Sequence, residues 1–206
     1  MLSFWGEGSN MIQEYISKQD MIILTAIDVI NDSGLAGITF KNLAYKANMT
    51  EDQLYKYYGD TNDVLVDVVK YYFEFDKSLR NTVDGKDITY LEKIRFYTDQ
   101  YAKYYDTYPA IAAIMLHYEE FLHNIDTREI VTEGTVKRRE FVEKLFRCAI
   151  DNGETKTELT ANDLTEVLTG HIMLLTLNRR FMPYTEPFSI CLEEFIDKLY
   201  AIISAK

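Results

Sequence analysis

A chain of 206 residues can bury a sizeable core, in one larger domain or in a small domain joined to a larger one. Its 47% hydrophobic and 27% charged residues are the proportions of a soluble globular protein, and a formal net charge of −11 excludes a broad basic face for polyanions. Any contact with nucleic acid must therefore be local, made by a few placed groups.

With 9 Gly and 3 Pro, and little strand-like alternation, the chain is predicted to be all-α with short connections. The opening MLSFWGEGSN lacks the basic start and apolar run of a signal peptide, and residues 1–10 are read as a mobile arm. Over 11–33, Ile12, Ile16, Ile23, Ala26, Ile27 and Ile30 recur at helical spacing, and Gly34 supplies the stop. In GITFKNLAYKAN, Thr39 is the expected N-cap with Ile38 as a staple, and Leu43, Ala44 and Ala47 share one face. Asn48 suits a left-handed turn. Thr50 caps a third helix, where Glu51 and Asp52 favour the positive end of the dipole and Leu54 and Tyr58 point into the core.

A fourth helix is expected over 60–79, broken by DGKD at 84–87. Helices over 88–106, 109–124 and 127–151 follow, with Pro109 as a first-turn residue. The 127–151 helix carries two apolar rows, Phe141/Leu145/Cys148 and Val142/Phe146/Ala149, and should be buried on two sides. Helices over 161–181 and 188–204 complete a set of about nine. No stretch reaches the roughly 18 uninterrupted apolar residues of a membrane span, so a cytoplasmic protein without a membrane partner is expected. Cys148 and Cys191 lie far apart with no C-x-x-C, which predicts reduced thiols.

The ordered set IILTAIDVINDSG, ITFKNLAYKANMT and QLYKYYGDTNDVL identifies residues 22–65, about a fifth of the chain, as resembling the DNA-binding domain of TetR-family (TetR/AcrR) transcriptional regulators. Gly34, Thr39, Leu43-Ala44 with Ala47, and Leu54-Tyr55 match the family pattern, and Tyr58 stands where it usually has Phe. The family's turn glycine and valine are replaced by Asn48 and Met49, and its phosphate-holding lysine by Thr61.

The resemblance implies a helix-turn-helix domain over 11–60, with 40–47 as supporting helix and 51–57 as recognition helix. Behind it, 61–206 would form a helical effector-binding and dimerisation domain. It places DNA contacts at Thr39, Lys41, Thr50, Gln53, Tyr55, Lys56 and Tyr57. The chemistry agrees, because Gln pairs with adenine while Lys and Tyr suit guanine and phosphate. Thr39 and Thr50 put hydroxyl and N–H groups where a phosphate could sit. Between 18 and 58, four lysines face five acids.

The aromatic runs FYTDQYAKYYDTYP and MLHYEEF fall in the region that forms the effector pocket in the resembled family. Phe96, Tyr97, Tyr101, Tyr104, Tyr118, Phe121 and Phe141 are the candidate walls of a cavity for a hydrophobic effector, with core packing as the plainer account of any one of them. Glu119, Glu120, Asp99 and Asp106 would tilt that cavity toward a cation, unless they are solvated surface acids. For a homodimer, Leu164, Leu168, His171 and Leu175 are matched with Phe188, Leu192, Phe195 and Leu199 in a symmetric four-helix bundle.

His117 and His123 fit no metal spacing, and the chain has no G-x-S-x-G and no Gly-rich phosphate loop, so neither a metal, a cofactor nor an enzyme activity is expected. The reading is a dimeric repressor of double-stranded DNA that binds a palindromic operator and is released by a small molecule. Its alternative is a dimeric helical interaction protein or coregulator of the same fold that has lost DNA binding.

Overall fold

The computed structural model describes residues 17–182 and 185–204. The expected arm at 1–10 and the first turns of the 11–33 helix lie outside the described residues. Within them the protein is all-α, with ten α-helices and one isolated β-bridge between Thr155 and Ser204.

Helix α1 spans Lys18–Ser33, is capped by the Ser17 side chain accepting from the Asp20 N–H, and buries Ile22, Ile23, Ala26, Ile27, Val29 and Ile30. Its stop is Gly34, with φ of 67°, a left-handed value that a side chain resists. A 3₁₀ turn, Leu35–Gly37, leads into α2, Phe40–Lys46, where Thr39 Oγ1 accepts from Asn42 N–H at 3.1 Å. Asn48 takes the left-handed turn with φ of 53°. Helix α3 is Glu51–Leu54, a single regular turn continued by a turn at 55–57, and so shorter than the expected 51–57.

Helix α4, Thr61–Asp84, is a 24-residue connector that starts on an Asp60/Asp63 capping box. Helix α5 is Tyr90–Thr107, capped by Thr89 and Glu92. The expected 109–124 helix is divided into a 3₁₀ turn at Pro109–Ile111, α6 at Ala112–Leu116 and α7 at Tyr118–His123. The break falls at His117, whose Nδ1 donates to the Ala113 carbonyl at 2.8 Å and whose ring lies beside the Gly34 turn. Docking against α1 takes precedence over helix continuity there.

Helix α8, Arg128–Asp151, runs through the middle and packs on α4, α5, α7 and α9. Both expected rows face inward: Phe141, Val142, Leu145, Phe146 and Ala149 are buried and Cys148 is half-buried. It crosses α4 so closely at Gly134 that a Cβ there would stand 2.4 Å from the Phe73 ring. Helix α9, Ala161–Phe181, has a Thr160/Asp163 capping box, and α10, Phe188–Ile203, lies along α5. The Asp106 carboxylate accepts from the Phe188 and Ser189 N–H groups at 2.6 and 2.9 Å, satisfying donors that α10 has no residues to satisfy.

The first three helices join the rest through α1, which packs on α4, α6 and the Pro109–Ile111 turn. Among the described residues, no helix is long and apolar enough to cross a membrane.

Candidate nucleic-acid interface and effector cavity

Helices α1 to α3 form a small core around Leu43, Ala44, Leu54 and Tyr58, and this packing turns the polar set outward. Thr39, Lys41, Thr50, Gln53, Tyr55, Lys56 and Tyr57 are all exposed. Thr39, Lys41 and Tyr55 share one shallow depression with Glu51, Gly59, Asp60 and Thr61. The Tyr55 ring is held there edge-on to Phe40, with centroids 4.6 Å apart. Tyr45, 85% exposed on α2, joins this surface although it carries no signal beyond falling outside the apolar register of Leu43 and Ala44.

Three groups are less free than their sequence positions imply. Gln53 Oε1 accepts from Thr50 N–H at 2.9 Å while Thr50 Oγ1 accepts from Gln53 N–H at 3.2 Å, a capping box that occupies one lone pair of the Gln53 oxygen and leaves its NH₂ for a base. Lys46 Nζ is 2.7 Å from Asp32, and this lysine holds the Asp32 carboxyl below the usual carboxylate range. The loop amide of Gly59 already donates to Asp63 at 2.9 Å.

The second feature is a cavity of about 340 Å³ between α5, α8 and α9, walled by Tyr97, Tyr101, Tyr105, Tyr118, Met115, Val142, Leu168 and Ile172. Thr135, Arg139, Thr169 and Met173 also line it, and Thr135, Arg139 and Met173 reach solvent. Of the seven expected wall residues, Tyr97, Tyr101 and Tyr118 line this space. The other four do not. Phe96 lies on another face under the Lys86 ammonium, Tyr104 stacks on Phe75 at 4.0 Å, Phe121 is core, and Phe141 packs behind Tyr97. Tyr105, Arg138 and Leu168 line it without having been expected to.

A buried polar cluster adjoins the cavity. Asp76, fully buried, accepts from the Tyr97 and Tyr101 hydroxyls at 2.7 and 2.9 Å and from Arg138 Nε at 3.2 Å, and its second oxygen is 2.7 Å from Arg80 Nη1. Arg138 Nη1 donates to the Tyr72 and Tyr118 hydroxyls at 3.1 and 3.2 Å. Burial pushes the hydroxyls of Tyr97, Tyr101, Tyr105 and Tyr118 well above the usual tyrosine range, so they stand as neutral dipoles. Asp76 was detectable only as an acid in the buried row Val69, Tyr72, Asp76, Leu79, Val83. The acids expected to favour a cation are elsewhere: Glu119 and Glu120 are exposed, Asp99 pairs with Lys103, and Asp106 caps α10.

Six of the eight residues matched for a dimer contact are consumed inside the protomer. Leu164, Leu168, Leu175, Phe188, Leu192 and Leu199 are buried in its own core, because α9 and α10 turn their strongest apolar rows toward α8 and α5. His171 and Phe195 remain half-buried and stack at 3.7 Å, with desolvation holding the imidazole below its usual range. Beside them lies an open apolar stripe of Val167, Leu174 and Phe181 on α9 and Ile202 on α10, with Leu174 and Phe181 55% and 74% exposed.

The fold is shared with solved structures described as TetR/AcrR-family transcriptional regulators. The structure is similar to that of the ketosteroid transcriptional regulator KstR2 of Mycobacterium tuberculosis, with a TM-score of 0.80 and 9% identity over 92% of this chain and 96% of that one. It is also similar to the TetR-family regulator PfmR from Thermus thermophilus, with a TM-score of 0.75 and 13% identity over 88% and 97%. For the regulator FadR from Bacillus subtilis in complex with stearoyl-CoA the TM-score is 0.66, with 18% identity over 86% and 96%. No protein-family model and no curated protein matches the sequence. At these identities the likeness is one of fold.

Proposed function

We propose that the protein is a cytoplasmic DNA-binding transcriptional regulator, a repressor that grips a palindromic operator as a homodimer and is released by a small apolar effector. The observation that carries this reading is the exposed set Lys41, Gln53, Tyr55, Lys56 and Tyr57 on a capped helix-turn-helix, since none of these side chains is buried in the small core beneath. Lys41 and Lys56 supply phosphate contacts, and the Gln53 amide with Tyr55 and Tyr57 faces the bases and backbone. In this reading residues 11–60 are the DNA-binding domain and 61–206 the effector and dimer domain.

Two copies would join through the open stripe of Val167, Leu174, Phe181 and Ile202 around Phe195, burying in an isologous contact what the protomer leaves in water. The solved FadR structure with stearoyl-CoA supports an effector role for the body of this fold. A signal from the cavity reaches the DNA through α5, which walls the cavity, and α4, which packs on both α5 and α1. Hundredfold release needs about 2.7 kcal/mol of preference for the non-binding state, within ordinary coupling energies.

A second reading, a dimer of this fold without DNA binding, draws on Glu51 and Asp52 at the start of α3 and on Lys46 being held by Asp32. Fluorescence anisotropy with duplexes from the region upstream of the protein's own gene, at low salt, separates the two. Saturable binding that weakens with salt supports the regulator, and the absence of binding to every such duplex supports the second reading.

A further inference from the structure

The guanidinium of Arg138 is a charged group left incomplete inside the body. Its side chain is 15% exposed, yet Nη2 is sealed from solvent and has no hydrogen-bond acceptor among the described residues. The other nitrogens are spent, Nε on Asp76 and Nη1 on the hydroxyls of Tyr72 and Tyr118. The rings of Tyr72, Phe73 and Tyr101 lie within 5.0–5.3 Å of its central carbon and hold it in place. An unmade bond on a buried charged donor costs more than one on a neutral donor.

The charge balance points the same way. Asp76 is shared between two guanidiniums, those of Arg80 and Arg138, and the surrounding tyrosine hydroxyls are protonated. The cluster therefore carries one carboxylate against two cations. Arg138 lines the cavity. The other charged lining residue is Arg139 at the rim, which is engaged with Glu143, Asn162 and Glu166.

We infer that the effector is an elongated apolar molecule ending in a carboxylate or a comparable anionic head, which lies against the Arg138 guanidinium in the cavity wall while its apolar part lies against Met115, Val142, Leu168 and Ile172. This deepens the effector part of the proposed function and rests on that reading. A buried cation beside an apolar wall selects for such a molecule by difference. An acid completes the charge balance, an alcohol of the same length leaves it unfilled, and an amine meets like charge.

The test uses the full-length protein without DNA, titrated calorimetrically with decanoate, decanol and decylamine, with thermal shifts as a second readout. Decanoate is expected to bind about tenfold or more tighter than decanol, the worth of one charge-assisted hydrogen bond, and decylamine to bind least. Arg138→Met should erase the difference between acid and alcohol while alcohol binding persists. Should that variant fail to fold, Ile172→Trp, which fills the cavity without touching the cluster, should abolish decanoate binding. Equal affinities for acid and alcohol, no binding of any of the three, or an acid preference that survives Arg138→Met or cavity filling would overturn the inference. With no DNA in the assay, its outcome is separate from the duplex measurement.

Discussion

Tyr108 reaches from the end of α5 to Asp28 in α1, its hydroxyl 2.9 Å from the carboxylate and 3.1 Å from the Leu24 carbonyl. One side chain thus ties the helix that walls the cavity to the helix that supports the DNA-contacting pair. Burial raises the Asp28 carboxyl above the usual carboxylate range, and the Tyr108 hydroxyl opposes that rise. An acid whose folded pKa lies above its unfolded one subtracts stability at neutral pH, and the loss is relieved as pH falls through the raised value.

Tyr108→Phe removes the opposing bond, so the Asp28 pKa should rise further. The variant should lose about 1 kcal/mol at neutral pH, and less once Asp28 is protonated. Carboxyl titration by NMR together with denaturant melts at neutral and acid pH reads both effects. In the regulator reading the same variant should blunt effector release while leaving effector binding intact.

Gly134→Ala tests the crossing of α4 and α8. Alanine favours a helix interior by about 1 kcal/mol over glycine, but the new methyl would overlap the buried Phe73 ring. Overpacking of this kind costs about 1–3 kcal/mol, so a net loss of stability is expected, read as a lower midpoint in urea. An unchanged or higher midpoint would show that the helices are further apart than they stand here.

Leu174→Glu and Leu168→Glu distinguish the two sides of α9. Leu174 is open in the protomer and Leu168 is buried beside the cavity. Light scattering should give a folded monomer for Leu174→Glu, because a charge in the shared stripe blocks association without entering the core. Leu168→Glu should unfold or aggregate. A dimer that tolerates Leu174→Glu would place the contact elsewhere.

At the helix-turn-helix, Lys56→Ala should weaken all duplexes and reduce the slope of log affinity against log salt by about one. Gln53→Ala should relax sequence preference and also cost about 0.5–2 kcal/mol of stability, because the Gln53 amide is half of the α3 capping box. Anisotropy over a salt series and thermal melts separate the two contributions.

The local signals in the sequence were informative. Gly34, Thr39, Asn48 and Thr50 each act on their own backbone, and the turn and caps appear where their chemistry requires them. Relations across the fold were not legible. Arg138 sits in the charged run Lys137–Glu140 and reads as surface, and its interior partners, Asp76 among them 62 residues earlier, lie far away in sequence. The apolar stripe of α10 covers two sides of the helix, and hydropathy cannot tell the side that meets α5 from the side left open. The break at His117 likewise depends on docking to the Gly34 turn.

The central claim, that the helix-turn-helix reads a DNA sequence as a dimer, is tested most directly by selection from a random duplex library at low salt. The account predicts enrichment of an inverted repeat with half-sites about one duplex turn apart, lost in the Leu174→Glu monomer. Recovery of sequences with no shared repeat, or of no bound duplex at all, would contradict it.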